Sequence, residues 1–378
     1  LALLPTGGGK SICFQVPNLM IAGQPLKTGI STGIGMHTKL PTMNQLYPNQ
    51  IYYDVVQLNY WPKESELRRI NIYIEKIDPT NYQLKAARNL KWELRADALW
   101  NGYSVAVTYF RENMKSGFRN NSSNYSRIIY KDYNEQSIDK QQLTEQPNLS
   151  EVPYNLDTML VSYTFVTNGS RTAKEGIEFQ LSMKRIQVLR TKITVNGAWF
   201  RTRYTNSQPQ FYRPSVAING KAYPYVGYYD DSDNYLRERF NTNLTFDTQI
   251  PRFGLIFSTS LQWLWFSGSR NGYCNPYPSS YIDKNLAVHP FNAEDEHNGV
   301  LAQMIKTGRD ETLYRYNTIP MSMNVNLKVT KSLFNEKLFM AVFVNKIADY
   351  TPSYTSAFGM IVRREVKPYF GMEINTKI

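Results

Sequence analysis

Residues 321–329 read MSMNVNLKV. Met321, Met323, Val325, Leu327 and Val329 are apolar, and Ser322, Asn324, Asn326 and Lys328 between them are polar. Strict alternation of this kind puts the two classes on opposite faces of a β-strand. A polar link over 331–337 predicts a return strand over 338–345. The alternation resumes over 367–378, where Phe370, Met372, Ile374 and Ile378 share a face. A soluble sandwich and a membrane barrel both use such strands, so the choice between them rests on what lies upstream.

Upstream the pattern recurs. Ile30, Thr32, Ile34 and Met36 alternate with Ser31, Gly33 and Gly35, predicting a strand over 28–38. Trp92, Leu94, Ala96 and Ala98 lead into Asn101-Gly102, the dipeptide suited to a type I′ turn because both positions need positive φ. Tyr103, Val105, Val107 and Tyr109 form the return. Ile177, Phe179, Leu181 and Met183 are linked through 185–190 to Ile193, Val195, Gly197 and Trp199. The strand over 237–248 turns at Ile250-Pro251-Arg252 and returns over 253–266, with Leu255, Phe257, Leu261, Trp263 and Trp265 on one face. Polar, Tyr- and Pro-rich stretches separate these hairpins. Those over 39–88 (with a short strand at 70–77), 113–173, 205–236, 267–318 and 347–364 are expected to be long loops.

Short turns therefore alternate with long loops. Greek-key sandwiches do not regularly do this. The expected fold is all-β: an antiparallel up-and-down meander of about ten strands, forming part of a transmembrane barrel with short periplasmic turns and long extracellular loops. Its polar face would line a wet lumen and its apolar face would meet lipid. The soluble alternative inverts this, with the apolar face as core.

Composition is compatible with either. There are 43 basic and 31 acidic residues, a net charge of +12, which favours an anionic partner such as nucleic acid or phosphate-bearing lipid. Tyr (28) and Trp (6) are numerous, and both accumulate where an apolar slab meets water. No apolar run of about 18 residues is present, which excludes a transmembrane helix but not a barrel. Cys13 and Cys274 make neither a disulfide framework nor a zinc site, and His37, His289 and His297 are scattered. Asp230, Asp231 and Asp233 lack the terminal Glu of a calcium loop and read as solvated loop. No basic-then-apolar leader opens the chain, so no secretory signal of its own is expected.

The first residues, LALLPTGGGKSICFQVP, differ from the rest. Gly7, Gly8 and Gly9 with Lys10 and Ser11 make a phosphate-loop remnant: glycine amides cradle phosphates, the lysine reaches the outer ones and the serine ligates Mg²⁺. Leu4 stands where the full pattern has its first glycine. The stretch resembles the first ATPase motif of RecQ-type DNA helicases over about 22 residues. A helicase also needs an Asp-Glu-x-His motif behind a strand, whereas Glu294-Asp295-Glu296-His297 sits in a polar stretch. Residues 1–27 are thus expected to be a fragment and not an independent domain. No catalytic residue, cofactor or metal is expected, and no enzymatic activity. A fragment of an ATP-dependent helicase is the alternative.

Residues 28–378 resemble the C-terminal part of a TonB-dependent outer-membrane receptor. The matching stretches include Arg68-Arg69-Ile70-Asn71, Asp78-Pro79-Thr80-Asn81-Tyr82, Val195-Asn196-Gly197-Ala198-Trp199-Phe200, Phe343-Val344-Asn345-Lys346 and Pro368-Tyr369-Phe370-Gly371-Met372-Glu373. The resemblance implies a barrel of about 22 strands around a plug domain, so this chain would be a truncated part without plug or TonB-contacting segment. It implies the cell outer membrane as location. The implied partners are membrane lipid, TonB, a nutrient ligand of unspecified class and, as an option, a surface-exposed binding lipoprotein; nucleic acid is not among them. The two resemblances meet at about residues 22–28, which reads as a chimera, and a soluble β-rich surface-binding protein stays open as a further reading.

Overall fold

The computed structural model describes residues 2–6, 9–15, 26–218, 220–230, 234–272, 275–307, 311–335 and 337–376. Its main sheet is an antiparallel meander. The strands are β1 (Ala2–Thr6), β2 (Gly9–Gln15), β3 (Leu26–Lys39), β4 (Ala87–Trp100), β5 (Tyr103–Tyr133), β6 (Tyr154–Ser182), β7 (Thr191–Asn206), β8 (Tyr235–Ile250), β9 (Leu255–Asn271), β10 (Ser322–Leu333), β11 (Leu338–Tyr350) and β12 (Tyr369–Thr376). Each pairs with the next in chain order, and among the described residues the path runs open from β1 to β12. Strands β3 to β12 are the ten that alternation predicts.

The short turns behave as their residues require. Asn101 and Gly102 both take positive φ (47° and 84°), as a type I′ turn demands. Arg190, Phe334 and Asn335 also take positive φ at the other tight links. Gly254, at φ 57°, closes the 3₁₀ turn Pro251–Phe253 between β8 and β9.

The expected loop over 113–173 is not a loop. Strands β5 and β6 run on for 31 and 29 residues and stay paired up to Tyr133 and Tyr154. Apolar residues in the extension come in consecutive runs, Ile128-Ile129 and Met159-Leu160-Val161, so strict alternation does not announce it. It is stabilised by backbone pairing, by ring contacts such as Tyr133–Tyr154 (5.5 Å) and by Ile128, which is fully buried.

The other connections carry small sheets of their own. Ile51–Tyr60 pairs with Arg69–Ile77 in the first. A four-stranded sheet of Gln210–Tyr212, Val226–Tyr229, Ser280–Ile282 and Val288–Pro290 ties the β7–β8 and β9–β10 connections together. The hydrophobic core lies here, beyond the ends of the shorter strands. Val55, Ile128 and Val161 form one buried cluster, and Tyr223, Leu301 and Met304 another. Within the meander itself, the large apolar side chains are half-buried or exposed.

Candidate functional site

Residues paired across neighbouring strands point to the same side of a sheet, so register alone sorts the meander into two faces. One row runs Ile30, Ala96, Val107, Phe179, Gly197, Thr242, Trp263, Met323. A second, nearer the short turns, runs Phe246, Thr259, Leu327, Val344, Phe370. This face is apolar on all ten strands from β3 onward, and no second layer covers it among the described residues. Ile30 is 60 % exposed, Leu94 48 %, Val342 55 % and Met372 62 %.

The apolar band does not follow the rows. Its limit on the long-loop side is Met36 on β3 and Phe370 on β12. Traced through the pairing, the row of Met36 passes Leu90, Asn113, Ala173 and Arg203 to reach Leu236 on β8. The row of Phe370 reaches the same strand at Phe246. The limit has slipped ten residues, from 236 to 246, in nine strand-to-strand steps. At roughly 3.3 Å per residue and about 4.8 Å between strands, that is about 33 Å along against about 43 Å across, a slope of about 37°.

Aromatic side chains crowd the limit. Trp92 meets Tyr109 edge-on at 5.3 Å, and Trp199 and Phe240 are paired neighbours on β7 and β8. Trp265 follows Trp263 on this face, beside a bulge in the β8–β9 pairing; it stacks on Phe240 (6.1 Å) and Trp263 (6.4 Å) and donates Nε1–H to Thr242 Oγ1 at 3.0 Å. Five of the six tryptophans (Trp92, Trp100, Trp199, Trp263, Trp265) stand on the apolar face. At Gly197 this face has no side chain of its own. Phe179 lies so close over Gly197 that a Cβ there would come within 2.5 Å of its Cζ. The same holds on the opposite face, where a Cβ on Gly176 would sit 2.8 Å from Phe110.

The opposite face is polar, and several of its charges are paired locally. Arg95 binds Asp97 at 2.8 Å, Lys91 binds Glu93 at 3.3 Å, and Lys328 binds Glu373. Asn243 donates to Asn196 at 2.9 Å and Ser258 to Asp247 at 2.5 Å. These groups suit a wet surface and no catalytic constellation.

Beyond the strands a cavity of about 240 Å³ is lined by Tyr130, Asp157, Arg213, Lys221, Tyr223 and Lys284, among others. Asp157 accepts from Lys221 Nζ at 2.5 Å and Lys284 Nζ at 3.2 Å, and Lys221 also reaches Asp132 at 3.1 Å. Burial pushes the Asp157 carboxyl up, but hydrogen bonds from Lys221, the Thr158 amide and Lys284 outweigh it and hold the group well below the usual carboxylate range. Its bonds to Asp157 and then Asp132 hold Lys221 protonated well above the usual lysine range. The node joins strands β5 and β6 to two connections, its partners lying 64 and 127 residues from Asp157. No local sequence signal marks it.

Gly9, Lys10 and Ser11 lie in strand β2, with Lys10 opposite Pro5 and Ser11 opposite Leu4, and β2 pairs with β3. Gly7 and Gly8 lie outside the described residues, as do Asp231, Asp233 and Cys274. Glu294, Asp295, Glu296 and His297 form part of a 3₁₀ turn, Ala293–His297. His289 pairs with Asp283 at 3.1 Å and stacks on Tyr281. Among the described residues no group of three or more His, Cys, Asp or Glu side chains is placed to hold a metal ion. No family model, curated protein or solved structure matches the chain.

Proposed function

We propose that the chain is part of an outer-membrane receptor barrel of the TonB-dependent type that residues 28–378 resemble. In this reading the apolar band meets lipid, the polar face lines a wet passage, and the long connections gather a nutrient ligand at the cell exterior. The role is uptake without chemistry. The observation that carries the reading is the slope of the band. Strands of membrane barrels are tilted by about 35–45°, so a lipid slab of uniform height must cross their rows obliquely, and about 37° is the obliquity found here. A soluble sandwich has no reason for such a drift, because its apolar face meets a second sheet about 10 Å away along the strands' length. The connections add support, because the buried clusters lie at the end of the sheet where the long links gather.

The five tryptophans on the apolar face supply the test. The full chain is refolded into phosphatidylcholine bilayers with and without bromine on the acyl chains, and indole emission is compared. Strong quenching is expected, and Trp92→Phe together with Trp199→Phe should weaken it. A protein that stays monodisperse in plain buffer and is untouched by brominated chains would refute the reading.

A further inference from the structure

The rows just beyond the band limit carry an unusual set of charges on the lipid-side face. The row of Trp92 continues as Arg111, Glu175, Arg201 and Glu238. The next contains Arg203, and the one after that Arg88 on β4 and Arg171 on β6. Five arginines and two glutamates thus share one face of four neighbouring strands, β4 to β7, and the start of β8. With the limit sloping as above, all five arginines fall within about five residues of it, or roughly 13 Å in height. Long guanidinium side chains can lean that distance back toward the interface.

The acids do not neutralise them. Arg201 is held between Glu175 (3.7 Å) and Glu238 (3.2 Å), and Glu238 also accepts from Tyr316 at 2.7 Å. Among the described residues, Arg88, Arg111, Arg171 and Arg203 are exposed and make no ion pair with an acid. On the polar face three such pairs, Lys91–Glu93, Arg95–Asp97 and Lys328–Glu373, are made. The strip therefore presents uncompensated cations, four arginines with Lys115 beside Arg88 and Arg171, at the level where an apolar slab gives way to water. Arginine rather than lysine is the side chain whose planar fork matches a phosphate with two parallel hydrogen bonds.

Resting on the membrane reading above, we propose that this strip is a docking surface for phosphorylated lipid headgroups of the leaflet on the long-loop side, with the arginines of β4 to β7 gripping phosphate while the aromatic row below contacts the acyl chains. Water-exposed arginines with no lipid role would be indifferent to what the leaflet is made of. The strip should instead concentrate phosphomonoester lipid around these four strands.

The test uses the full chain in nanodiscs of phosphatidylcholine, with and without phosphatidic acid as the probe, and reads bound phosphatidic acid by its fluorescent derivative. Each basic side chain at an anionic surface multiplies partitioning by about five, so Arg88→Gln/Arg111→Gln/Arg203→Gln should weaken phosphatidic acid binding by roughly a hundredfold. Lys63→Gln/Lys76→Gln/Lys140→Gln removes the same charge from the long connections and should leave binding within about twofold, because those sites lie beyond a Debye length of about 8 Å from the leaflet. Quenching by brominated chains is recorded on the same samples. Retained quenching with no loss of binding in the arginine variant, or equal loss in the lysine variant, overturns the docking surface alone. Absence of quenching overturns the membrane reading and the docking surface with it.

Discussion

Val107 sits near mid-height of the band and makes the sharpest test of which medium the apolar face meets. The limit of the band crosses β5 close to Arg111, which puts Val107 about four residues, or roughly 11 Å, inside it. Val107 is 40 % exposed. Of a residue surface of roughly 150 Å², about 60 Å² would pass into lipid, about 1.5 kcal/mol at ~25 cal/mol per Å². Val107→Arg forfeits that and brings a charge toward mid-bilayer, a total of about 2–4 kcal/mol by the depth dependence of barrel substitutions. Ala106 is one residue away and faces the polar side with Asp97 and Gln180, so Ala106→Arg should cost under about 1 kcal/mol. A packed core would also reject Val107→Arg, and Val107→Phe separates the two cases. Liquid lipid accommodates the larger side chain at no cost, whereas a close-packed interior charges about 1–3 kcal/mol for overpacking. The assay is equilibrium unfolding in phosphatidylcholine vesicles followed by indole emission. A loss above about 1 kcal/mol for Val107→Phe, or equal losses at 106 and 107, would refute the lipid-facing assignment.

Other outcomes follow from particular contacts. Gly197→Ala drives a methyl into the Phe179 ring and toward Thr242 Cγ2 at 2.8 Å, and should destabilise the β6–β8 region by about 1–3 kcal/mol in the same unfolding assay. Asp157→Asn should loosen the 217–222 hairpin, seen as faster amide exchange there. The effect on stability should be about 1 kcal/mol at most, because Lys221 and Asp132 stand 54 % and 44 % exposed and water screens the node. Because the Asp157 carboxyl is held below its ordinary value, its contribution is complete above the unfolded carboxylate pKa of about 3.9 and is lost as pH falls through the folded value. The Lys221 contribution has the opposite sign: complete below about 10.4, lost as pH rises through the raised folded value. Exchange in this hairpin should therefore show the same protection from about pH 5 to pH 9 and lose it in acid, except in Asp157→Asn. ATP hydrolysis by the full chain should equal that of Lys10→Ala, measured as phosphate release; a rate abolished by that substitution would revive the helicase alternative.

Two parts of the architecture were legible in the residues for a simple reason. Strands with one apolar face advertise themselves by parity, and Asn101-Gly102 is nearly obligatory where both φ values are positive. The same parity marked out the ten strands from β3 to β12. The upper halves of β5 and β6 were illegible because their apolar residues come in consecutive runs, Ile128-Ile129 and Met159-Leu160-Val161, and keep no parity. Ile128 and Val161 pack against Val55 from another connection, a contact visible only once the chain is folded. The slope of the band was written in the sequence too, but reading it needs the register between every pair of strands. Alternation fixes which face a residue takes, not which residue it opposes. The Asp157 node is further from reach, since its partners are drawn from two separate connections that no local rule brings together.

The far edge of the sheet sets a further physical requirement. β12 pairs with β11 from Tyr369 to Thr376, and its side chains are among the most exposed of the meander, with Phe370 at 84 %. In an eight-residue strand about half the backbone N–H and C=O groups point away from the one partner it has. Water satisfies those groups, but in hydrocarbon each unpaired group costs several kcal/mol. The ten strands can therefore lie in a bilayer only with this edge paired, whether by further strands or by another copy. In detergent-free aqueous suspension, alternate β12 amides should exchange quickly and the others slowly. After insertion that alternation should vanish, with all eight protected. Exchange that still alternates along β12 in a bilayer, in protein whose tryptophans are quenched by brominated lipid, would mean that the edge lies outside the hydrocarbon and that the band stops short of it.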